Sequence, residues 1–355
     1  MKRLLPQSPS TLQISFPFGQ TLLLTALILA LLAGGLEALA RLTWVDNHVP
    51  TAVGSTNRYF DRKIGELDYR SAHAGGVDCI FLGSSLVNSG IDPTIFQAAY
   101  REQTGRDIVC YNFGVPGLTM TPAAKLSDLL MKRYHPRLLV YGFTLRALAT
   151  DPAHRPDELF SGESIFNTPW VRYRRGSLNL EGWLVDHLTF DRRYLALRDW
   201  PLYEFGNPIR DLSSQLLTGF MPFTFVPESF IAPEWLKTFT VAPSAWTGLE
   251  QIVALGEKTP LLLVEMPLSG QTLDAFKGGK TNYISILDQI DAYASEHGLP
   301  LWLTIQLHLI PDNGWAGDAD HMNRTGAAVF SRWLGEQIGN ATNNGLWPDL
   351  TRRHG

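Results

Sequence analysis

The chain has 355 residues, 45% hydrophobic and 18% charged, with a formal net charge of −4. That length allows one large α/β domain with accessories or two small domains, and the mildly acidic balance lacks the basic stripe of a nucleic-acid protein. Two cysteines, Cys79 and Cys110, exclude a disulfide scaffold and a zinc ribbon, and no repeat at a fixed period is evident.

Residues 21–36, TLLLTALILALLAGGL, are sixteen positions without a charge. The apolar stretch runs on through Glu37 and Ala38 towards Arg41 and Trp44. It reaches the roughly 20 residues that a bilayer requires if Glu37 sits near the interface. A run that is apolar on every face does not suit a soluble amphipathic helix. The segment is long for a cleaved signal peptide, which favours a signal anchor over 21–44. Lys2 and Arg3 precede the run, and Arg41 beyond it is soon followed by Asp46. The positive-inside rule then predicts a cytoplasmic tail over 1–20, with everything after about residue 45 outside the membrane.

Residues 45–74 are polar and mixed, and read as a stalk. From Val77 the pattern becomes alternating strands and helices. Short apolar or β-branched runs at 77–82 (VDCIFL), 107–111 (DIVCY), 137–143 (RLLVYGF), 260–266 (PLLLVEM) and 300–305 (PLWLTI) predict strands. Helix-like stretches lie at 94–103, 123–134, 282–296 and 325–337, the first after Pro93 and the second stopping before Pro136. Continuous apolar strands alternating with helices predict a central parallel sheet covered on both faces. Both cysteines fall in strand runs, where cysteine acts as a small hydrophobe, with a disulfide between them open in an oxidising compartment.

Between 147 and 247 the alternation fails in a stretch rich in Trp, Arg, Phe and Pro, including Trp170, Arg172, Arg174, Arg175, Trp183 and Trp200. It reads as a cap inserted after the third strand, either a lid with aromatic faces for sugar or acyl chains or a small core of its own. Residues 340–355 read as a loose polar tail, which leaves 75–339 as the main domain.

Three short blocks carry chemistry. In FLGSSLVNSGIDP (81–93), Gly83-Ser84-Ser85 follows a strand and precedes a helix. Reactive groups of parallel α/β sheets gather beyond the carboxyl ends of the strands, though serine in such a turn also caps helices. In DADHMNRTGA (318–327), Asp318 lies three residues before His321, so one loop delivers both. A serine hydroxyl becomes a good nucleophile when an imidazole takes its proton and a carboxylate orients that imidazole. Asp320 is a rival orienting acid, but an adjacent residue usually points elsewhere. In YNFGVPGLT (111–119), a glycine past the second strand lets a backbone N–H approach a developing oxyanion.

In this order the blocks resemble the SGNH (GDSL-like) hydrolase superfamily, in its membrane-anchored bacterial cell-surface form. That family carries G-x-S after the first strand, N-x-G-x-x-G after the second, G-x-N after the third and D-x-x-H near the C-terminus. Here these are Gly83 to Ser85, Asn112 through Gly114 to Gly117, and Asp318 to His321, continued as H-x-N-x-x-G by Asn323 and Gly326. The resemblance implies an α/β, flavodoxin-like three-layer sandwich with Ser85 as nucleophile, His321 as general base and acid, and Asp318 as its orienting partner. Backbone N–H groups of Ser85 and Gly117 would form the oxyanion hole. The third block departs from the pattern: it reads Gly142-Phe143-Thr144-Leu145-Arg146, without asparagine. Thr144 would donate through its hydroxyl, and Arg146 would reach the substrate.

These features imply a serine esterase or O-acyl(acetyl)transferase working through an acyl-serine on a cell-surface or exported polysaccharide. The partners expected are the membrane, an acylated or glycan substrate and a membrane-bound O-acyltransferase, with no nucleic acid. The alternatives are a weakly active or non-catalytic accessory of such an acyltransferase complex and a lipid esterase. No cofactor or metal is expected: His297 and His308 lack companions at ligand spacing, and there is no phosphate-cradling P-loop.

Overall fold

The computed structural model describes residues 17–55, 57–149, 165–199, 209–223, 232, 234–257, 260–318 and 320–350. The chain opens with helix α1 (Phe18–Ala40), which is long and apolar enough to cross a membrane and is not packed inside the protein. Two helices follow, α2 (Thr43–His48) and α3 (Arg58–His73). Strand β1 (Cys79–Gly83) leads into the short α4 (Ser85–Gly90) and then α5 (Pro93–Thr104). Asp92 caps α5 through the N–H of Thr94 with Pro93 in the first turn, and Gly105, at φ 71°, ends it in the left-handed conformation. Next come β2 (Cys110–Gly114), α6 (Met120–Tyr134) and β3 (Leu138–Phe143), which ends in a 3₁₀ turn over Leu145–Leu148.

Between β3 and β4 the described residues hold α7 (Pro169–Arg174), α8 (Leu180–His187), α9 (Thr189–Asp199) and α10 (Glu234–Thr238). Trp200 lies outside the described residues. The alternation then resumes with α11 (Pro243–Gly256), β4 (Leu261–Glu265), α12 (Gly270–Ala275), α13 (Gly279–Glu296), β5 (Leu301–Trp302) and α14 (Arg324–Asn343).

The five strands are all parallel, in the order β2-β1-β3-β4-β5. Every residue of β1 to β4 is buried, as continuous apolar strands require when helices cover both faces. The chain crosses from β1 to β2 in one direction and from β2 through β3 to β5 in the other. Right-handed crossovers then put α5 and α6 on opposite faces. Accordingly α5 packs with α14, and α6 with α11. The point where the winding reverses is the gap between β1 and β3, the position at which doubly wound sheets place their ligands.

Cys79 and Cys110 are register partners on β1 and β2 and form a disulfide, with Cα atoms 4.6 Å apart. The fifth strand is shorter than the run 300–305 predicts. The N–H groups of Thr304 and Ile305 turn away from the sheet and donate to the carboxylate of Glu265 instead.

Two expectations about the chain's ends are corrected. Much of 45–74 is no stalk, because Phe60, Ile64 and Leu67 of α3 are fully buried, Phe60 against Phe113 and Trp170. Asp68 clamps α3 to α6 by accepting two hydrogen bonds from Arg133 and one from Tyr134. Mixed composition hid this helix because some of its polar residues are buried too: Asp61 accepts from the Ser55 N–H, Lys63 donates to backbone carbonyls, and Glu66 pairs with Arg62 and Arg210. Nor is the described part of 340–355 a loose tail: α14 runs to Asn343, Leu350 is buried, and Arg137 donates to the Asp349 carbonyl.

Candidate active site

The site is assembled at the carboxyl ends of β2, β1 and β3, where Gly114, Gly83 and Gly142 stand side by side in register. Helix α4 crosses directly above this row. A Cβ on Gly114 would lie 2.3 Å from the Asn88 nitrogen, and one on Gly142 would lie 2.5 Å from Cγ2 of Val87. The three glycines therefore let a helix begin almost on top of the sheet. Asn112 holds it there: its Nδ2 donates to the carbonyls of Val87 (2.7 Å) and Ile91 (2.6 Å), while its Oδ1 accepts from the Gly114 N–H.

Within Gly83-Ser84-Ser85 the two serines do different work. Ser84 is the N-cap, its hydroxyl accepting from the Leu86 N–H. Ser85, freed from that task, donates its Oγ–H to Nε2 of His321 at 2.8 Å. Nδ1 of His321 lies 2.6 Å from Oδ2 of Asp318, and the His321 N–H donates to Oδ1 of the same carboxylate. Burial pushes the Asp318 carboxyl up, but hydrogen bonds and charge from His321, with the Asp320 N–H, hold it below the ordinary aspartate value. An ionised carboxylate can only accept, so Nδ1 carries the imidazole proton and Nε2 presents its lone pair to Ser85. The sequence-predicted Ser85, His321 and Asp318 thus form one continuous relay.

Local pairing fixes His321. Its carbonyl accepts from the Ala316 N–H, and Trp315 bridges to Met322 on the other side. Asn323 caps α14 with its Oδ1 and donates from Nδ2 to the carbonyls of Asn313 and Trp315. Gly326 is required because a Cβ there would sit 2.2 Å from the Gly314 carbonyl.

The remaining candidates are placed as follows. Gly117 lies in the turn after β2 with φ 76°, a left-handed conformation that favours glycine. Thr144 is buried at the end of β3, one residue beyond the strand. Arg146 is exposed, with its guanidinium 5.9 Å from the Trp235 ring, and no hydrogen bond joins it to the relay among the described residues. Asp320 does not orient His321. It is buried beside Thr272, its carboxyl pushed up by burial against the opposing pull of His321 and Arg146.

Two side chains were not singled out from sequence. The Phe223 ring stacks on the His321 imidazole, centroids 4.4 Å apart at 3°. The segment bearing it crosses α4, where the Met221 N–H donates to the Asn88 carbonyl, and covers the edge of β2, where the Asn112 N–H donates to the Thr218 carbonyl. Lys63, fully buried, ties this together by donating to the carbonyls of Asn112 and Gly219. Desolvation holds its pKa well below the ordinary lysine value, with Glu66 pulling the other way. Only contact between distant segments reveals these roles.

Beyond the ends of β4 and β5 lies a cavity of about 380 Å³, lined by Ser269, Asp274, Lys280, Thr304, His308 and Trp315 among others. Trp315 is shared with the loop that holds His321. Among the described residues no group of three or more His, Cys, Asp or Glu side chains is arranged to hold a metal ion. Compared with known proteins, the chain matches no family model, and no curated protein is significantly similar to it.

Proposed function

We propose that this protein is a membrane-anchored serine esterase or O-acyl(acetyl)transferase of the SGNH type, acting outside the membrane on cell-surface or exported polysaccharide. The observation that carries the reading is the relay Ser85–His321–Asp318, complete at 2.8 and 2.6 Å. In this reading Ser85 Oγ attacks an ester carbonyl while Nε2 of His321 takes its proton, and Asp318 stabilises the imidazolium. The N–H groups of Ser85 and Gly117, with the Thr144 hydroxyl, face the oxyanion. Collapse breaks the ester C–O bond, His321 gives the proton to the departing alcohol, and the acyl group stays on Ser85. Water or a sugar hydroxyl then gives its proton to His321 and attacks the acyl-serine; the acyl C–Oγ bond breaks, His321 returns the proton to Ser85 Oγ, and free acid or the new ester leaves. The cavity beside Trp315 combines an aromatic wall with hydroxyl, amine and carboxylate groups, a set suited to a sugar ring.

The cellular side is part of the proposal. Lys2 and Arg3 before the apolar run favour a cytoplasmic N-terminus. The Cys79–Cys110 disulfide favours an oxidising compartment for the domain. Labelling with a fluorophosphonate probe tests the chemistry: wild type is expected to label, and Ser85→Ala is expected to remain blank. Labelling that persists in Ser85→Ala would sink the assignment.

The residue after β3 favours one second reading. Thr144 stands where the resembled family has asparagine, and losing an oxyanion donor costs on the order of 10²–10³ in rate. A weakly active or non-catalytic accessory of a membrane O-acyltransferase complex would leave wild type unlabelled. Short against long p-nitrophenyl esters separates the polysaccharide reading from a lipid esterase.

A further inference from the structure

We propose that α8 and α9 form a membrane-surface platform, their exposed aromatic and aliphatic face lying among the lipid headgroups of the bilayer that α1 crosses. The proposal rests on reading α1 as a membrane span. Its first support is a depth marker. Glu37 is the first charge after the uncharged 21–36 run, and therefore marks the boundary of the hydrocarbon. Its carboxylate accepts from the N–H groups of Thr189 (3.0 Å) and Phe190 (2.9 Å), so the first turn of α9 sits at that same depth. A negative side chain at a helix N-terminus is a favourable cap, which makes this junction a fixed one.

A second clamp lies just above it. Arg193 of α9, itself buried, donates from Nε to the Ala40 carbonyl at the end of α1, from Nη1 to the Val49 carbonyl and from Nη2 to Asp46. The anchor and α9 are thereby joined at both ends of one helical turn of α1. The hairpin cannot swing away from the membrane without breaking these bonds.

The third support is what the hairpin exposes. Phe190, Tyr194 and Leu197 recur at i, i+4 and i+7 on α9, and Leu180 and Trp183 share a face of α8; all five are exposed, Leu180 at 73% and Tyr194 at 50%. Trp44, 62% exposed, stands just past the end of α1. A soluble surface rarely gathers such a patch. Trp, Tyr, Phe and Leu beside a spanning helix are the composition that settles in the interface between headgroups and acyl chains. The consequence is functional: the domain bearing Ser85 is held in one orientation and height above the bilayer rather than swinging on a stalk.

The test uses the full chain in phosphatidylcholine–phosphatidylglycerol proteoliposomes with no other protein. Both native cysteines are buried in their disulfide, so single spin labels at Leu180→Cys and Tyr194→Cys report alone, with Arg101→Cys as an exposed control and Leu31→Cys in α1. Collision with oxygen and with a water-soluble nickel chelate is measured at each site. Labels at 180 and 194 are expected to meet oxygen readily and the chelate several-fold less often than the label at 101. Chelate contact at 180 and 194 equal to that at 101, with the label at 31 shielded, overturns the platform while leaving the span intact; a protein partner as the occupant of this face would give this result. Chelate contact at 31 as well overturns the span and the platform together.

Discussion

Ser84 and Ser85 separate two tasks that compete for one hydroxyl: closing a helix N-terminus and presenting an oxygen to an imidazole. The pairing beyond them depends on an ionised Asp318. Asp318→Asn offers Nδ1 an amide in place of an acceptor-only carboxylate and favours the wrong tautomer. Hydrolysis of p-nitrophenyl acetate is expected to fall by roughly 10⁴, as it does when a triad loses its carboxylate, with the melting curve little changed. Glu265 supplies a pH prediction of another kind. Burial pushes its carboxyl from the ordinary 4.5 up to about 7, against hydrogen bonds from Thr304 and Ile305. The folded chain thus keeps a proton that the unfolded chain releases above about 4.5. Its contribution to stability is fully present below that value, falls by roughly 3 kcal/mol as pH rises to about 7, and then levels. Glu265→Gln is expected to remove this decline, read as the difference between the two proteins in urea unfolding at pH 5 and pH 8.

At the scale of elements, α4 is the part that makes the site possible and the part most easily displaced. It is six residues long, too short to persist without tertiary support. Asn112 and the row Gly83, Gly114 and Gly142 provide that support. Gly114→Ala drives a methyl against the Asn88 backbone nitrogen, which cannot rotate aside as a side chain would. It is expected to cost about 1–3 kcal/mol in chemical denaturation and to abolish probe labelling, because the shift of α4 carries Ser85 away from His321. Unchanged labelling in a folded Gly114→Ala protein would mean that α4 tolerates displacement.

Across the whole molecule, the disulfide and α3 act on the same region from two sides. Cys79 and Cys110 join β1 to β2 beneath the site across 31 residues of sequence, a loop whose closure is worth roughly 3–4 kcal/mol. Replacing both with alanine is expected to lower the denaturation midpoint to that extent, and added reductant should then have no further effect. From the other side α3 packs into the core, and Lys63 links it to the end of β2 and to the segment that carries Phe223 towards His321. The described residues that follow α1 up to His73 are therefore largely packed onto the domain where a stalk was expected.

The parallel sheet, the apolar span of α1 and the blocks bearing Ser85, Asp318 and His321 were legible in the sequence. Each rests on local periodicity or on residue types at short spacing. Strand boundaries moved by one to three residues at β1 and β2, where Gly83, Gly114 and Gly142 align in register and the apolar runs alone do not mark that row. Two matters were decided only by tertiary structure: that Cys79 meets Cys110, and that α9 grips the end of α1. Each is a contact between groups whose direction depends on backbone geometry or on a partner far along the chain. The pattern of residues specifies which groups are available, and packing alone selects which of them meet.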